Sequence, residues 1–152
     1  MIPRAQHPWF VPLLLCLGFL GSVAQANAMS TCVITGDTWV RWVRGAVLLQ
    51  DYSGDRPPIP GATATLSRGN WSRSVITDED GYFAFPELPP GNYDLLVELE
   101  GFVSIEALIK VRSNIEAGRA LVVDLEPAYE YCGSIKQRPW REVRDLQLGK
   151  IK

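Results

Sequence analysis

Histidine is nearly absent from this chain: its 152 residues contain one, His7. Cysteine is scarce as well, present as Cys16, Cys32 and Cys132. Neither sign of charge dominates, and a formal net charge of −2 argues against a basic nucleic-acid binder. No apolar run is long enough for a helical membrane span. The longest, from Trp9 to Val23, is interrupted by Pro12 and Gly18 and falls short of the ~20 residues a span needs. Apolar residues at 47% and charged residues at 21% match ordinary globular usage, which excludes wholesale disorder or a fibrous repeat. What the chain does have is 13 Gly and 11 Pro, a density of turn formers that favours many short strands over long helices.

The N-terminus corrects these counts. Met1 and Arg4 precede the apolar stretch, which ends in the small residues Ala24-Gln25-Ala26-Asn27-Ala28. A weakly positive start, a short apolar stretch and an Ala-x-Ala site are the parts of a secretory signal peptide. Two frames end at Ala26 and at Ala28, with Ala28 preferred, so residues 1–28 are assigned to the signal. The alternative is an uncleaved anchor. Cys16 follows Leu13-Leu14-Leu15 and lacks the small residue that precedes a lipidated cysteine.

Cleavage after Ala28 removes His7, Cys16 and Arg4. The 124 residues that remain carry no His, two Cys and a net charge of −3, from 14 basic and 17 acidic residues. Such a chain hosts neither a Ser-His-Asp relay nor a metal site built on imidazole. An even pair of cysteines in an exported protein, Cys32 and Cys132, reads as a disulfide. Two free thiols or an intermolecular bridge are the alternatives. A secreted or periplasmic location follows from the signal, with no membrane span left after cleavage.

Strand signals then follow one another. Thr38 to Gln50 is rich in Val, Trp and Leu and reads as one strand bent at Gly45. Residues Asp51 to Gly61 have loop composition. Ala62, Ala64 and Leu66 alternate with Thr63, Thr65 and Ser67, and Trp71 to Thr77 returns as the partner after Arg68-Gly69-Asn70. Tyr82 to Phe85 follows a tight turn at Asp78-Glu79-Asp80-Gly81. In the clearest strand Tyr93, Leu95, Val97 and Leu99 face one way. Val103, Ile105, Ala107, Ile109 and Val111 repeat the period of two, and Leu121, Val123 and Leu125 form a last strand. No window shows the pattern of a long helix. About seven strands with turns every 8–12 residues mean an all-β sandwich or barrel.

Charge divides the chain at Gly133. Met29 to Gly133 carries 8 basic and 15 acidic residues, whereas Ser134 to Lys152 carries 6 basic and 2 acidic. The expected organisation is a sandwich domain over residues 29–133 and a basic C-terminal tail over residues 134–152, the tail lying against the acidic body.

An ordered series of motifs resembles a known family. It comprises Gly45-Ala46-Val47, Pro58-Ile59-Pro60-Gly61-Ala62-Thr63-Ala64-Thr65-Leu66, Thr77-Asp78-Glu79-Asp80-Gly81-Tyr82-Phe83-Ala84-Phe85, Leu88-Pro89-Pro90-Gly91-Asn92-Tyr93-Asp94-Leu95 and Gly101-Phe102. The series resembles the carboxypeptidase regulatory-like domain, a small prealbumin-like Greek-key β-sandwich similar also to Cna protein B-type modules. The resemblance spans about Arg44 to Pro127. It implies an accessory or binding module rather than a catalyst, with no cofactor or metal. The marked residues have physical reasons to be there. Gly61 admits a tight start to a strand, and Asp78 and Asp80 accept hydrogen bonds from nearby backbone N–H groups. Gly81 closes a hairpin at positive φ, Pro90 pre-sets φ, and Gly91 supplies the next positive φ.

Enzymes on similar scaffolds, a 5-hydroxyisourate hydrolase and the intradiol dioxygenases, use histidines that the mature chain lacks. Some Cna B-type modules carry a Lys–Asn crosslink from a Lys early in the fold, but the first Lys here is Lys110. The run Asp78-Glu79-Asp80 offers hard oxygen ligands but matches a turn motif and lacks the spacing of an EF-hand loop. Carboxylate-only glycoside hydrolysis is disfavoured because the acids scatter over turns and outward faces. Trp39, Trp42, Trp71 and Trp140 are candidates for stacking on sugars, although the spacing of Trp39 and Trp42 sets them on opposite faces of a strand. Asn70-Trp71-Ser72 is an acceptor only in a glycosylating host. The expected function is therefore an exported, non-catalytic module binding an unknown protein partner in the cell envelope or outside the cell. Carbohydrate binding in such a system is the alternative, and no nucleic-acid partner is expected.

Overall fold

The computed structural model describes residues 30–50, 56–127 and 131–147. The signal assignment, with its frames at Ala26 and Ala28, lies outside the described residues. Within them the chain forms nine strands and one helix: β1 (Thr31–Val40), β2 (Arg44–Leu49), β3 (Thr63–Arg68), β4 (Trp71–Ile76), β5 (Tyr82–Ala84), β6 (Gly91–Glu98), β7 (Ser104–Val111), β8 (Arg119–Leu125), β9 (Ser134–Pro139) and α1 (Trp140–Gln147). A five-stranded sheet has the order β1-β7-β6-β3-β4, and a four-stranded sheet has the order β5-β2-β8-β9. The fold is an all-β sandwich with nine strands rather than about seven.

The two extra strands have physical explanations. Thr38 to Gln50 is two strands in different sheets, not one strand bent at Gly45. The chain crosses at Arg41–Val43, where the Arg44 N–H donates to the Trp42 carbonyl at 3.1 Å. The crossing lets both Val40 and Val43 reach the core, at 0% and 1% exposure. Gly45 is required by a close approach: a Cβ there would stand 2.2 Å from the Leu121 carbonyl oxygen. The start of β1 is mostly exposed, Val33 at 65%, so apolar and polar residues there do not alternate between a buried and a wet face. It pairs in parallel with β7 from Thr31↔Ser104 to Val40↔Val111, with a register shift between Ile34 and Thr38.

The second extra strand lies in the segment set apart by charge. Residues 134–139 form β9, antiparallel to β8 from Asp124↔Ser134 to Arg119↔Pro139, and α1 follows directly. The helix covers the outer face of the four-stranded sheet. Val143 and Leu146 pack with Ala46, Leu48, Ala120 and Val122, with Tyr82 and Trp140 at the margin. Both faces of β2 and β8 are therefore dry, which explains their continuous apolar runs. The five-stranded sheet has one wet face, and β6 alternates cleanly, with Tyr93, Leu95 and Val97 inward and Asp94 exposed.

The main core lies between the sheets, built from Val47, Leu66, Leu95, Val97, Ile105, Ile109, Leu121, Val123 and Leu125 among others. Cys32 on β1 and Cys132 just before β9 form a disulfide across 100 residues of sequence. The bond ties an edge of one sheet to the connection that feeds an edge of the other.

Two stability measurements follow. Leu146→Ala, emptying a site 6% exposed, should cost about 2–3 kcal/mol in urea unfolding followed by tryptophan fluorescence. The double variant Cys32→Ser, Cys132→Ser should lose roughly 2–4 kcal/mol in the same assay, as should the reduced wild type.

Candidate functional site

Four of the six turn residues singled out from the sequence assemble at one place. Gly61 and Gly81 have φ of 77° and 73°. The Asp78 carboxylate accepts from the Asp80 N–H at 3.1 Å and the Tyr82 N–H at 2.8 Å through one oxygen. The Gly81 N–H donates to the Asp78 carbonyl at 2.9 Å. Gly81 is doubly constrained, since a Cβ would also meet the Val47 carbonyl oxygen at 2.6 Å. Thr77, which ends β4's segment and opens the Asp78 motif, clamps the assembly. Its hydroxyl donates to the Ile59 carbonyl and accepts from the Ala62 N–H, both at 2.8 Å. Its backbone exchanges hydrogen bonds with Ala62 and Gly61. Thr77 is 4% exposed. This knot holds backbone to backbone, and its carboxylate chemistry is spent on N–H groups.

Pro90 and Gly91 lie at the other end of β4, and Gly91 departs from expectation. It is not among the glycines at positive φ. It opens β6 opposite Val111, and its missing side chain makes room for Arg68: a Cβ would stand 2.4 Å from a guanidinium nitrogen. The constraint is space, not turn geometry.

The space Gly91 yields belongs to a cleft of about 370 Å³ lined by Arg68, Trp71, Arg73, Pro86, Glu87, Leu88, Pro89 and Tyr93. It exists because the sheets are unequal. On β4, Trp71, Arg73 and Val75 share the parity that pairs with Arg68, Leu66 and Ala64 of β3, and the last two point into the core. The four-stranded sheet ends in the three-residue β5, which leaves the inner side of the β4 margin open. The Pro86–Pro89 segment forms the opposite wall. Tyr93 is the floor, 3% exposed, its hydroxyl donating to the Pro89 carbonyl at 2.8 Å. Trp71 meets it edge-on, with centroids 5.9 Å apart and planes at 75°. The Arg68 guanidinium lies 5.5 Å above the Tyr93 ring. Neither Arg68 nor Arg73 is in an ion pair among the described residues. A rigid aromatic floor beside two forked cations suits a planar anion such as a carboxylate.

The remaining tryptophans are placed differently from one another. Trp39 on β1 has Lys110 and Arg112 near its ring at 4.9 and 5.0 Å, with Lys110 bonded to Asp37 at 2.6 Å. Trp42 lies in the crossing between β1 and β2, so the strand parity expected to relate it to Trp39 does not apply. Trp140 opens α1, with Arg44 at 4.9 Å and Tyr82 at 5.1 Å. Burial, then the Asp80 carboxylate, raises the Tyr82 phenol above its usual range, while Arg144 opposes the shift and Asp78 adds to it. Of the four candidate platforms, Trp71 lines the cleft beside β4.

A second polar group sits on the outer face of β8. Asp124, fully buried, is ion-paired with Arg56 and accepts from the Ser134 hydroxyl at 2.7 Å. It anchors the segment before β3 and the start of β9. Among the described residues no three His, Cys, Asp or Glu side chains gather to hold a metal.

Arg68 and Arg73 were not singled out from the sequence. The available signal was parity: Arg73 shares the inward face of an alternating strand with Trp71 and Val75, an unusual position for a charge. A family model described as the carboxypeptidase regulatory-like domain matches residues 43–126, and no curated protein matches the chain significantly.

Thr77→Val keeps shape but removes both side-chain hydrogen bonds of the knot. It should cost about 1–3 kcal/mol in chemical unfolding and speed amide exchange at Ala62.

Proposed function

Because the chain belongs to the carboxypeptidase regulatory-like domain family, we propose that it is a non-catalytic β-sandwich module that docks a partner protein outside the cytoplasm, in the periplasm or beyond the cell. The observation that carries the docking role is the cleft beside β4. Its floor is preorganised by packing and by the Tyr93–Pro89 hydrogen bond, while Arg68 and Arg73 have no ion-pair partner among the described residues. Recognition residues held in this way lose little freedom on binding, and aromatics with Arg are the side chains that dominate protein interfaces. The Cys32–Cys132 bond supports the location, since disulfides persist in oxidising compartments. The carboxylates of Asp78 and Asp124 are occupied by backbone and Arg56, as fits a scaffold.

Carbohydrate binding is the second reading, favoured by Trp71, which is 40% exposed at the mouth of the cleft and able to stack on a sugar ring.

Site-specific photocrosslinking in the native envelope tests the first reading. A crosslinker at Glu87, on the cleft wall, should trap one reproducible protein identified by mass spectrometry, whereas one at Asp94, on the wet face, should not. Glycan retention that Trp71→Ala abolishes, with no protein adduct, would establish the second reading instead.

A further inference from the structure

The four edges of the two sheets differ in how they are protected. β5 has three residues and offers little ladder. β1 is broken by a register shift between Ile34 and Thr38, and the Gln137 side chain donates to its Trp39 carbonyl. β9 carries Lys136, Arg138 and Pro139, the charges and proline that blunt an edge. β4 is different. It is six residues long, Trp71-Ser72-Arg73-Ser74-Val75-Ile76, contains no proline, and among the described residues pairs, in unbroken register, with β3 alone. Among the described residues no strand pairs with its other side, which runs beside the cleft, and Ile76 is 69% exposed at its end.

We infer that β4 accepts an added strand from the partner, and that the partner's segment is acidic, placing carboxylates over Arg73 and Arg68. The inference rests on the docking role proposed above and names the chemistry of its partner. An added strand contributes main-chain hydrogen bonds for affinity, and alternate side chains supply specificity. Directly opposed side chains on neighbouring strands stand about 4.5–5.5 Å apart at Cβ. The residue opposite Arg73 therefore faces a guanidinium with no ion-pair partner among the described residues. The residue opposite Trp71 faces the aromatic end of the cleft, where Arg68 lies over Tyr93. The residue opposite Val75 faces an apolar position. The recognised segment reads acidic-x-acidic-x-apolar along one face, or the reverse if it runs the other way. Its alternate residues face the hydroxyls of Ser72 and Ser74 and suit Thr or Ser.

A second copy of this chain is a poorer occupant. Arg73 is the one charge on β4 and lies near its middle, so pairing β4 with itself antiparallel brings two guanidinium groups to the same inner face, where like charges repel. The cleft also contrasts with its surroundings: residues 29–133 are acidic by 15 to 8, whereas the cleft holds two arginines against Glu87. An acidic segment is steered to this cleft and repelled elsewhere.

The probe is the blocked peptide Thr-Val-Thr-Asp-Thr-Asp-Thr with its reversed sequence, titrated into the mature protein at low salt by Trp fluorescence. Its controls replace Asp by Lys or carry N-methyl groups on either alternate set of residues. One of the two acidic peptides should bind, weaken with added salt, and protect amides within 71–76 from exchange. The Lys control should not bind, and one of the two N-methylated sets should fail. Arg73→Glu should retain the wild-type melting temperature, lose the acidic peptide by tenfold or more, and gain the Lys peptide. Equal binding of acidic and Lys peptides, or indifference to Arg73→Glu, overturns the inference. So does an oligogalacturonate that occupies the cleft when neither peptide does, or a dimer whose β4 amides are protected without peptide. If Arg73→Glu still forms the wild-type adduct through the Glu87 crosslinker, docking stands and the acidic strand falls. If no protein is trapped at all, the docking role itself falls.

Discussion

The architecture depends on burying β2 and β8 on both faces at once. Their parallel pairing, from Gly45↔Leu121 to Leu49↔Leu125, sends Val47, Leu121, Val123 and Leu125 into the main core and Ala46, Leu48, Ala120 and Val122 outward. The outward set is as apolar as the inward one, so a two-layer sandwich would leave it in water. The segment after Gly133 resolves this: β9 extends the sheet and α1 supplies the third layer. Lys136, Arg138, Arg141 and Arg144 sit on exposed positions of β9 and α1, while Val143 and Leu146 carry the packing. Charge therefore marks the surface of this segment and says nothing of its buried side.

Close backbone approach is the means by which the layers are locked. Gly45 lies against the Leu121 carbonyl, and Gly133 lies so near Asp124 that a Cβ would stand 1.8 Å from its carbonyl oxygen. The disulfide follows immediately before Gly133 and joins this region to β1. Asp124 at the same corner is fully buried with Arg56 and Ser134 as partners, which is how a carboxylate is kept in a dry interior. At another corner the Thr77 hydroxyl and the Asp78 carboxylate are spent on backbone groups. Between these fixed corners the β4 margin is the part of the sandwich that carries the cleft.

That margin is a by-product of unequal sheets. Five strands face four, and the four end in a strand of three residues. The inner side of β4 is thus uncovered, and side chains with core parity there need not be apolar. Arg73 occupies such a position, Trp71 is half wet, and Gly91 gives up its side chain to seat Arg68. One geometric mismatch, five strands against four, leaves room for the cleft beside β4.

Much of this was legible in the chain itself. The alternation of Tyr93, Leu95 and Val97, and of Ile105, Ala107, Ile109 and Val111, marked two strands and their inner faces, because period two is a local property of an extended backbone. The turn at Asp78 to Gly81 and the tight start at Gly61 were legible for the same reason. Their geometry is set within a few residues. The Cys32–Cys132 pair followed from counting. Other features could not be read locally. The split of Thr38 to Gln50 between two sheets depends on where the core lies. The reason for Gly91 is an arginine 23 residues away in sequence, and the reason for Gly45 is a carbonyl on β8. Thr77, Arg68 and Arg73 acquire their roles from neighbours that only the assembled sheets provide. The sequence determined which segments extend, which faces are apolar and where the chain must turn. The tertiary structure alone decided which edge stays open and which cations line it, because edges and clefts arise from the relative extent of packed layers, a quantity no single strand contains.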